Sequence, residues 1–98
     1  MIVRLIPAAQ EDVREAASWY GERDAALGQQ FVSALSDGIA QIVQFPESSP
    51  RVHGEIRRLL LHRFPYCVFY LVEPSGPVVL GCFHARRDPK AWQRRAGV

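Results

Sequence analysis

The chain has 98 residues, a length that allows one small domain and leaves no room for a second. Hydrophobic residues make up 48% and charged residues 22%, ordinary globular values that exclude a disordered chain. The longest apolar runs, such as LLL at 59–61 and CVFYLV at 67–72, are far shorter than a membrane span. The N-terminus lacks the pattern of a secretory signal. We therefore expect a compact cytoplasmic domain, residues 1–98, with no membrane partner.

The net charge is only +2, but the charges are unevenly placed. Residues 1–50 carry three arginines against seven acids, whereas residues 51–98 carry eight arginines and one lysine against three acids. A basic second half indicates a surface suited to an anionic partner. Cys67 and Cys82 are isolated among apolar residues, without the spacing of a zinc site. We expect buried thiols, no metal and no cofactor.

The first half of the sequence predicts a strand followed by two helices. IVRLI at 2–6 is a β-branched run ended by Pro7. From Ala8 to about Arg23, apolar residues recur at three- and four-residue spacing, which indicates an amphipathic helix. After the break GERDAALG, the same spacing continues to Phe45, where Pro46 stops the second helix. A short connection between two such helices predicts an antiparallel hairpin.

The second half predicts a sheet. Residues 46–54, PESSPRVHG, are dense in turn formers and predict an irregular loop. Three β-rich runs follow at 55–63, 66–72 and 78–84, with short separators that favour antiparallel hairpins. Asp88 and Pro89 then indicate the start of a short C-terminal helix. The order β-α-α-β-β-β predicts an α+β fold in which the helical hairpin packs on a curved antiparallel sheet.

Four short motifs carry a family resemblance. They are LGxxF at the start of the second helix, I..FPE..P at its end, RFPYxVFY on a strand and HxRRDPxxW near the C-terminus. In their order and spacing they resemble the RelE/ParE superfamily of toxins from type II toxin-antitoxin systems, over essentially the whole chain. The resemblance implies a cognate, ParD-like antitoxin whose C-terminal segment wraps around the toxin in a hetero-oligomeric complex. Such a partner needs a docking surface, and we expect it at the outer seam of the hairpin or at an exposed sheet edge.

The superfamily has two branches with different activities. RelE-like members are ribosome-dependent mRNA endonucleases, and ParE-like members are described as poisoning DNA gyrase. Metal-free RNA cleavage needs a base, cations at the phosphate and an acid for the leaving oxygen. The resemblance puts Arg58 and Arg86 at cation positions, but Cys67 stands where an arginine is usual. Trp92 stands where a tyrosine is usual, and an indole N–H cannot act as an acid or base.

His84 is the remaining candidate for proton transfer, because a histidine titrates near neutral pH. It can equally end the last strand without a chemical role. A ribonuclease would use His84, Arg86 and Arg58. A target-binding or anion-binding surface would use a larger group of cations, namely Arg58, Arg63, Arg86, Arg87, Lys90, Arg94 and Arg95.

Three hypotheses follow. The first is a ParE-like toxin that binds a cellular target, DNA gyrase by resemblance, without catalysis. The second is a RelE-like, metal-independent endoribonuclease that acts on mRNA at the ribosome. The third is a degenerate toxin that retains only antitoxin binding. The two vacant nuclease positions favour the first hypothesis, while His84 supports the second.

Overall fold

The computed structural model describes residues 2–97, with side chains from Ile2 to Arg95. The elements follow the order β1 (Arg4–Leu5), α1 (Pro7–Arg23), α2 (Ala25–Gln44), β2 (Arg51–His53), β3 (Ile56–Leu60), β4 (Tyr66–Glu73), β5 (Gly76–His84) and α3 (Pro89–Gly97). This arrangement confirms the predicted α+β architecture of a helical hairpin on a sheet with a short C-terminal helix. Within the described range, no helix is both long and apolar enough to cross a membrane.

A single residue separates the two long helices. The Asp24 backbone N–H donates to the Tyr20 carbonyl at 3.0 Å, and its side chain accepts from the Ala26 N–H at 2.9 Å. Asp24 therefore ends α1 and caps α2, because it supplies partners for groups that a helix end leaves unpaired. The helices then approach closely at Gly28, where an added Cβ would lie 2.9 Å from the Gly21 Cα. Glycine at this position lets the hairpin close.

The sheet has the strand order β1-β5-β4-β3-β2. The pairings β2–β3, β3–β4 and β4–β5 are antiparallel, as predicted. β1 adds a parallel pairing with β5, which makes the sheet mixed. Apolar alternation identifies a strand but carries no information about its direction, so the sequence pattern did not reveal this pairing.

Two local predictions differ from the structure. The segment predicted as an irregular loop, 46–54, contains β2, which pairs with β3 through Arg51 opposite Arg57 and His53 opposite Ile56. The strand predicted over 55–63 ends at Leu60, and Arg63 has a left-handed backbone with φ 74°. A non-glycine residue in this conformation marks a tight turn, which here brings the chain round into β4.

The sheet carries apolar residues on both faces. The face covered by α1 and α2, called the helix side here, holds a core of buried residues that includes Phe31, Ile42, Val68, Tyr70 and Cys82. The opposite face, called the α3 side, holds a second cluster made of Ile56, Cys67, Phe69, Val78, Leu80, Phe83 and Trp92. The Tyr70 hydroxyl donates to the Pro46 carbonyl at 2.7 Å, which satisfies the polar end of a fully buried side chain.

An ion pair closes the outer edge of β5. β1 pairs only with Val78 and Val79, and a register shift follows in which Leu80 has no partner on β4. Beyond it, Asp12 of α1 accepts from the Cys82 backbone N–H at 3.0 Å, and Arg95 of α3 donates to the Leu80 carbonyl at 3.0 Å. Asp12 and Arg95 also bind each other, with N–O distances of 2.5 and 3.1 Å. The Asp12–Arg95 pair therefore ties α1, β5 and α3 together.

We expect Arg95→Met to release α3 from the sheet. The methionine keeps the apolar stem over Phe83 but leaves Asp12 without its cation. The free energy of unfolding should fall by about 2 to 3 kcal/mol, below the cost for a fully buried pair because 23% of the Arg95 side chain is exposed. Urea unfolding measures the loss of stability. The intrinsic fluorescence of the two tryptophans, Trp19 and Trp92, reports whether α3 leaves the sheet. Arg94→Met, at the exposed neighbouring position, is the matched control, and an equal loss in both variants would contradict this role for Arg95.

Because the pKa of the Cys82 thiol is raised in the folded chain, we expect the fold to lose stability at alkaline pH. Burial, the nearby Asp12 carboxylate and Cys67 raise its pKa from 9.0 to about 12. The folded chain keeps this proton while the unfolded chain loses it above pH 9, so stability falls as the pH rises through this window. Between about pH 9 and 11, the free energy of unfolding should decrease by about 2 to 3 kcal/mol more than in Cys82→Ala. Urea unfolding at each pH gives the dependence of the free energy of unfolding on pH for the unsubstituted chain and for Cys82→Ala. An equal dependence in the two proteins would refute the prediction.

Candidate functional site

His84 lies at the end of β5 on the helix side of the sheet. It pairs with Tyr66, and the two ring centroids are 5.4 Å apart. Its Nδ1 accepts a hydrogen bond from the Arg86 backbone N–H at 3.0 Å, which leaves Nε2 as the donor of the neutral ring. The ring lines a cavity of about 200 Å³ together with Glu15 and Trp19 of α1. His84 therefore faces the first helix.

Arg58 lies on the opposite face of the sheet. It is the pairing partner of Phe69, which belongs to the α3-side cluster, whereas His84 follows Cys82 of the helix-side core with the same strand period. Burial raises the pKa of Cys67, and the Arg58 guanidinium opposes that rise, in agreement with its place on the α3 side. The structure thus separates two of the three residues that a ribonuclease would combine.

Trp92 occupies an interior position. Only 7% of the residue is exposed, and its ring stacks on Phe69 with centroids 4.4 Å apart and planes 14° from parallel. The position at which the resemblance leads us to expect a tyrosine is therefore a packing contact between α3 and the sheet. This contact, together with the Asp12–Arg95 pair, holds α3 in place.

Four of the predicted cations gather at the C-terminal end of the fold. Arg86 and Arg87 lie in the turn after β5, and Lys90 and Arg94 lie one helical turn apart on α3. All four are exposed, and among the described residues none has a carboxylate oxygen within 4.0 Å of its cationic group. Asp88, the acid between them, accepts from the Lys90 backbone N–H at 3.0 Å. We call Arg86, Arg87, Lys90 and Arg94 the C-terminal cationic face.

The other three predicted cations lie elsewhere. Arg58 is exposed on β3, on the α3 side of the sheet. Arg63 is exposed in the turn before β4, where it lines a groove against α2. The Arg95 guanidinium is bound to Asp12 and to the Leu80 carbonyl, so we omit it from the surface. The predicted group of seven therefore divides into a cluster of four and three separate residues.

Two polar residues with structural roles were missed from the sequence. Arg57 was not among the predicted site residues, and its buried side chain donates to the carbonyls of Glu47 and Ser49 at 3.0 and 2.7 Å. It thereby fixes the chain between α2 and β2. Asp12 gave no signal of its own, because its partner Arg95 lies 83 positions away in the sequence.

The helical hairpin carries an open groove on its outer seam. The groove measures about 530 Å³ and is lined by the small or apolar residues Ala17, Ala25, Gly28 and Val32 together with the polar residues Arg14, Ser18 and Gln29. Val32 is 48% exposed. β2 pairs with β3 only at Ile56 and Arg57, so the Leu60 end of β3 is not covered by β2. There the Leu60 side chain is 61% exposed beside a second groove of about 350 Å³ against α2. These are the two kinds of docking surface that the sequence predicted.

Comparison with known proteins gives a family and a fold. Residues 3–89 match the family model described as the ParE toxin of type II toxin-antitoxin system, parDE. Comparison with curated proteins finds no match. A solved structure, the chromosomal ParDE TA system from P. aeruginosa, contains a chain of similar fold, with a TM-score of 0.64 and 17% sequence identity over 86% of this chain and 95% of that chain.

The family match runs from the residue before β1 to the first residue of α3. It therefore includes the helical hairpin, the whole sheet and the turn that holds Arg86 and Arg87. Lys90 and Arg94 lie beyond it. The match covers most of the chain, and the chain accordingly belongs to the ParE toxin family of type II toxin-antitoxin systems.

Proposed function

We propose that this toxin arrests growth in the cytoplasm by binding DNA gyrase, without cleaving RNA, and that a cognate ParD-like antitoxin silences it. The observation that carries the proposal is the separation of His84 and Arg58 on opposite faces of the sheet. A toxin of this family that lacks an assembled nuclease site can still act by occupying a target.

The separation matters because RNA cleavage is demanding in its geometry. A general base must come within hydrogen-bond reach of the 2′-hydroxyl, about 2.6 to 3.2 Å, while cations contact the same phosphate. His84 points toward α1, and Arg58 lies on the α3 side. Trp92 cannot supply the missing acid, because its ring is packed on Phe69 and its N–H is not acidic. The ribonuclease alternative thus keeps His84 and Arg86 together but lacks Arg58 on the same face of the sheet.

A target contact needs only an exposed and firmly placed surface. Arg86 fits this requirement, because its guanidinium is exposed while its backbone N–H is fixed by the His84 ring. Arginine forms paired hydrogen bonds with carboxylates and phosphates and so binds anionic groups with defined geometry. We assign Arg86 the central place in the target contact, with Arg87 beside it.

The antitoxin requires a different surface. The groove on the outer seam of the hairpin is lined by Ala17, Gly28 and Val32, which suits the apolar face of an amphipathic helix. The Leu60 end of β3, which β2 does not cover, offers a place for an added strand. We place the antitoxin helix in the hairpin groove, in a hetero-oligomeric complex.

Expression of the chain without antitoxin tests the target. We expect growth arrest with gyrase-dependent DNA breakage and intact transcripts. Arg86→Ala should abolish the arrest and leave antitoxin binding unchanged, because the residue lies outside the hairpin groove. Arg4→Ala, an exposed arginine on β1, is the control and should remain toxic. Rapid ribosome-dependent cleavage of mRNA would favour the ribonuclease alternative, and unaffected growth would favour the degenerate one.

A charge placed in the hairpin groove tests the antitoxin site. Val32→Glu should weaken antitoxin binding by about 10- to 100-fold, since it puts a carboxylate where an apolar contact is expected. The fold should survive because Val32 is half-exposed. Ala40→Glu adds the same charge at an exposed position of α2 that does not line the groove, and it should bind normally. Calorimetric titration measures both variants, and equal affinities would place the antitoxin elsewhere.

A further inference from the structure

The C-terminal cationic face has a feature that the proposed function does not use. Lys90 and Arg94 stand one turn apart on the outward side of α3, about 6 Å between their Cβ atoms. The helix beneath them is anchored by the Trp92–Phe69 stack and by the Asp12–Arg95 pair. With Arg86 and Arg87, the face presents four cations that have no described carboxylate within 4.0 Å, and Asp88 is the only acid among residues 84–95. The Arg87 guanidinium lies 5.2 Å from the Phe83 ring centre, and Arg87 lines the cavity that Asp12 and Glu15 also line.

The composition of this face does not suit a protein partner. Interfaces between proteins are built around buried apolar or aromatic anchors, with charges at the rim. Of the exposed large hydrophobic residues of the described chain, Trp19 lines a cavity together with Arg87, and the others, Ile2, Val32, Phe45, Leu60 and Val72, lie on other parts of the fold. Phe83 and Trp92, the aromatic residues nearest the four cations in the sequence, are 4% and 7% exposed. Lys90 and Arg94 on α3 therefore offer charge without an exposed apolar anchor on the same helix.

The same composition distinguishes among nucleic acids. Single strands are held by bases that stack on exposed aromatic rings, and α3 presents none because Trp92 is covered by Phe69. Double-stranded RNA is recognised through its 2′-hydroxyl groups as well as its phosphates. Apart from Asp88, the exposed polar side chains that follow His84 are guanidinium or ammonium groups. Such a surface matches the continuous phosphate backbone of duplex DNA.

We propose that the C-terminal cationic face binds the phosphate backbone of duplex DNA without reading its sequence. Each cation neutralises about one phosphate and releases its counterions, so the affinity depends steeply on salt. The inference goes beyond the proposed function, because the isolated chain binds DNA in this way without gyrase. A toxin held on DNA would also be concentrated where enzymes act on DNA.

Fluorescence anisotropy with a short labelled DNA duplex tests the inference. The assay uses the purified full chain alone, without gyrase or antitoxin, so its result is independent of the target and of toxicity. We expect binding at low salt, with a slope of log affinity against log salt of about −3 to −4, since each of four contacts contributes about −0.9. Single-stranded DNA and poly-glutamate serve as competitors and should displace the duplex poorly.

Paired variants locate the contact. Lys90→Gln combined with Arg94→Gln should make the slope shallower by about 2, since two phosphate contacts are lost. Arg4→Gln combined with Arg14→Gln removes the same net charge at exposed sites on β1 and α1 and should leave the slope unchanged. Circular dichroism and Trp92 fluorescence verify that each variant is folded. No binding at low salt, an equal change in both variants, or equally effective displacement by any one competitor would overturn the inference.

Discussion

The Asp12–Arg95 pair is the contact on which the arrangement of the C-terminal half depends. β1 is too short to cover the outer edge of β5, so the Leu80 carbonyl and the Cys82 N–H lack a neighbouring strand there. Unpaired backbone groups in a largely buried position are costly. The Asp12 carboxylate accepts from the Cys82 N–H, and the Arg95 guanidinium donates to the Leu80 carbonyl. Because the two residues come from α1 and α3, the same contacts fix both helices against the sheet.

This constraint also explains why the region around Gly81 accepts no side chain. A Cβ at this position would lie 2.6 Å from the Phe83 ring, 3.0 Å from the Arg95 guanidinium and 3.1 Å from the Asp12 carboxylate. The guanidinium itself lies 4.6 Å from the Phe83 ring centre, where a cation–π contact adds to the ion pair. The glycine therefore opens the space in which α1, β5 and α3 meet. The short strand β1, the register shift at Leu80 and the missing side chain of Gly81 together make room for the Asp12–Arg95 pair.

The sequence predicted the elements well because their signals are local. Helix periodicity, the stops at Pro7 and Pro46, and the alternation of the later strands are each contained within a few residues. The parallel pairing of β1 and the contact of Asp12 with Arg95 depend on chain reversals that no local pattern encodes. The burial of Arg57 gave no signal either, since arginine is seldom buried without partners and its partners here are backbone carbonyls of a loop.

The candidate site was likewise only partly predictable from the sequence. The basic character of residues 86–94 is visible in the sequence, and these residues lie together because they are neighbours in the chain. The relation of His84 to Arg58 was not visible, because it depends on the faces to which two separate strands direct their side chains. A register change of one residue would have moved either side chain to the other face. Whether His84 and Arg58 lie on the same face of the sheet is therefore decided by register.

The sheet faces that the helices cover determine how the two proposed binding surfaces are related. The hairpin groove lies on the outer side of α1 and α2, which cover one face of the sheet, and α3 covers the other. An antitoxin confined to the groove would leave the C-terminal cationic face open. Under the proposed function, silencing would then require either a partner long enough to reach both surfaces or a change transmitted through the fold. α1 carries Ala17 in the groove and Asp12 in the ion pair, so it is the element through which the hairpin and α3 are physically connected.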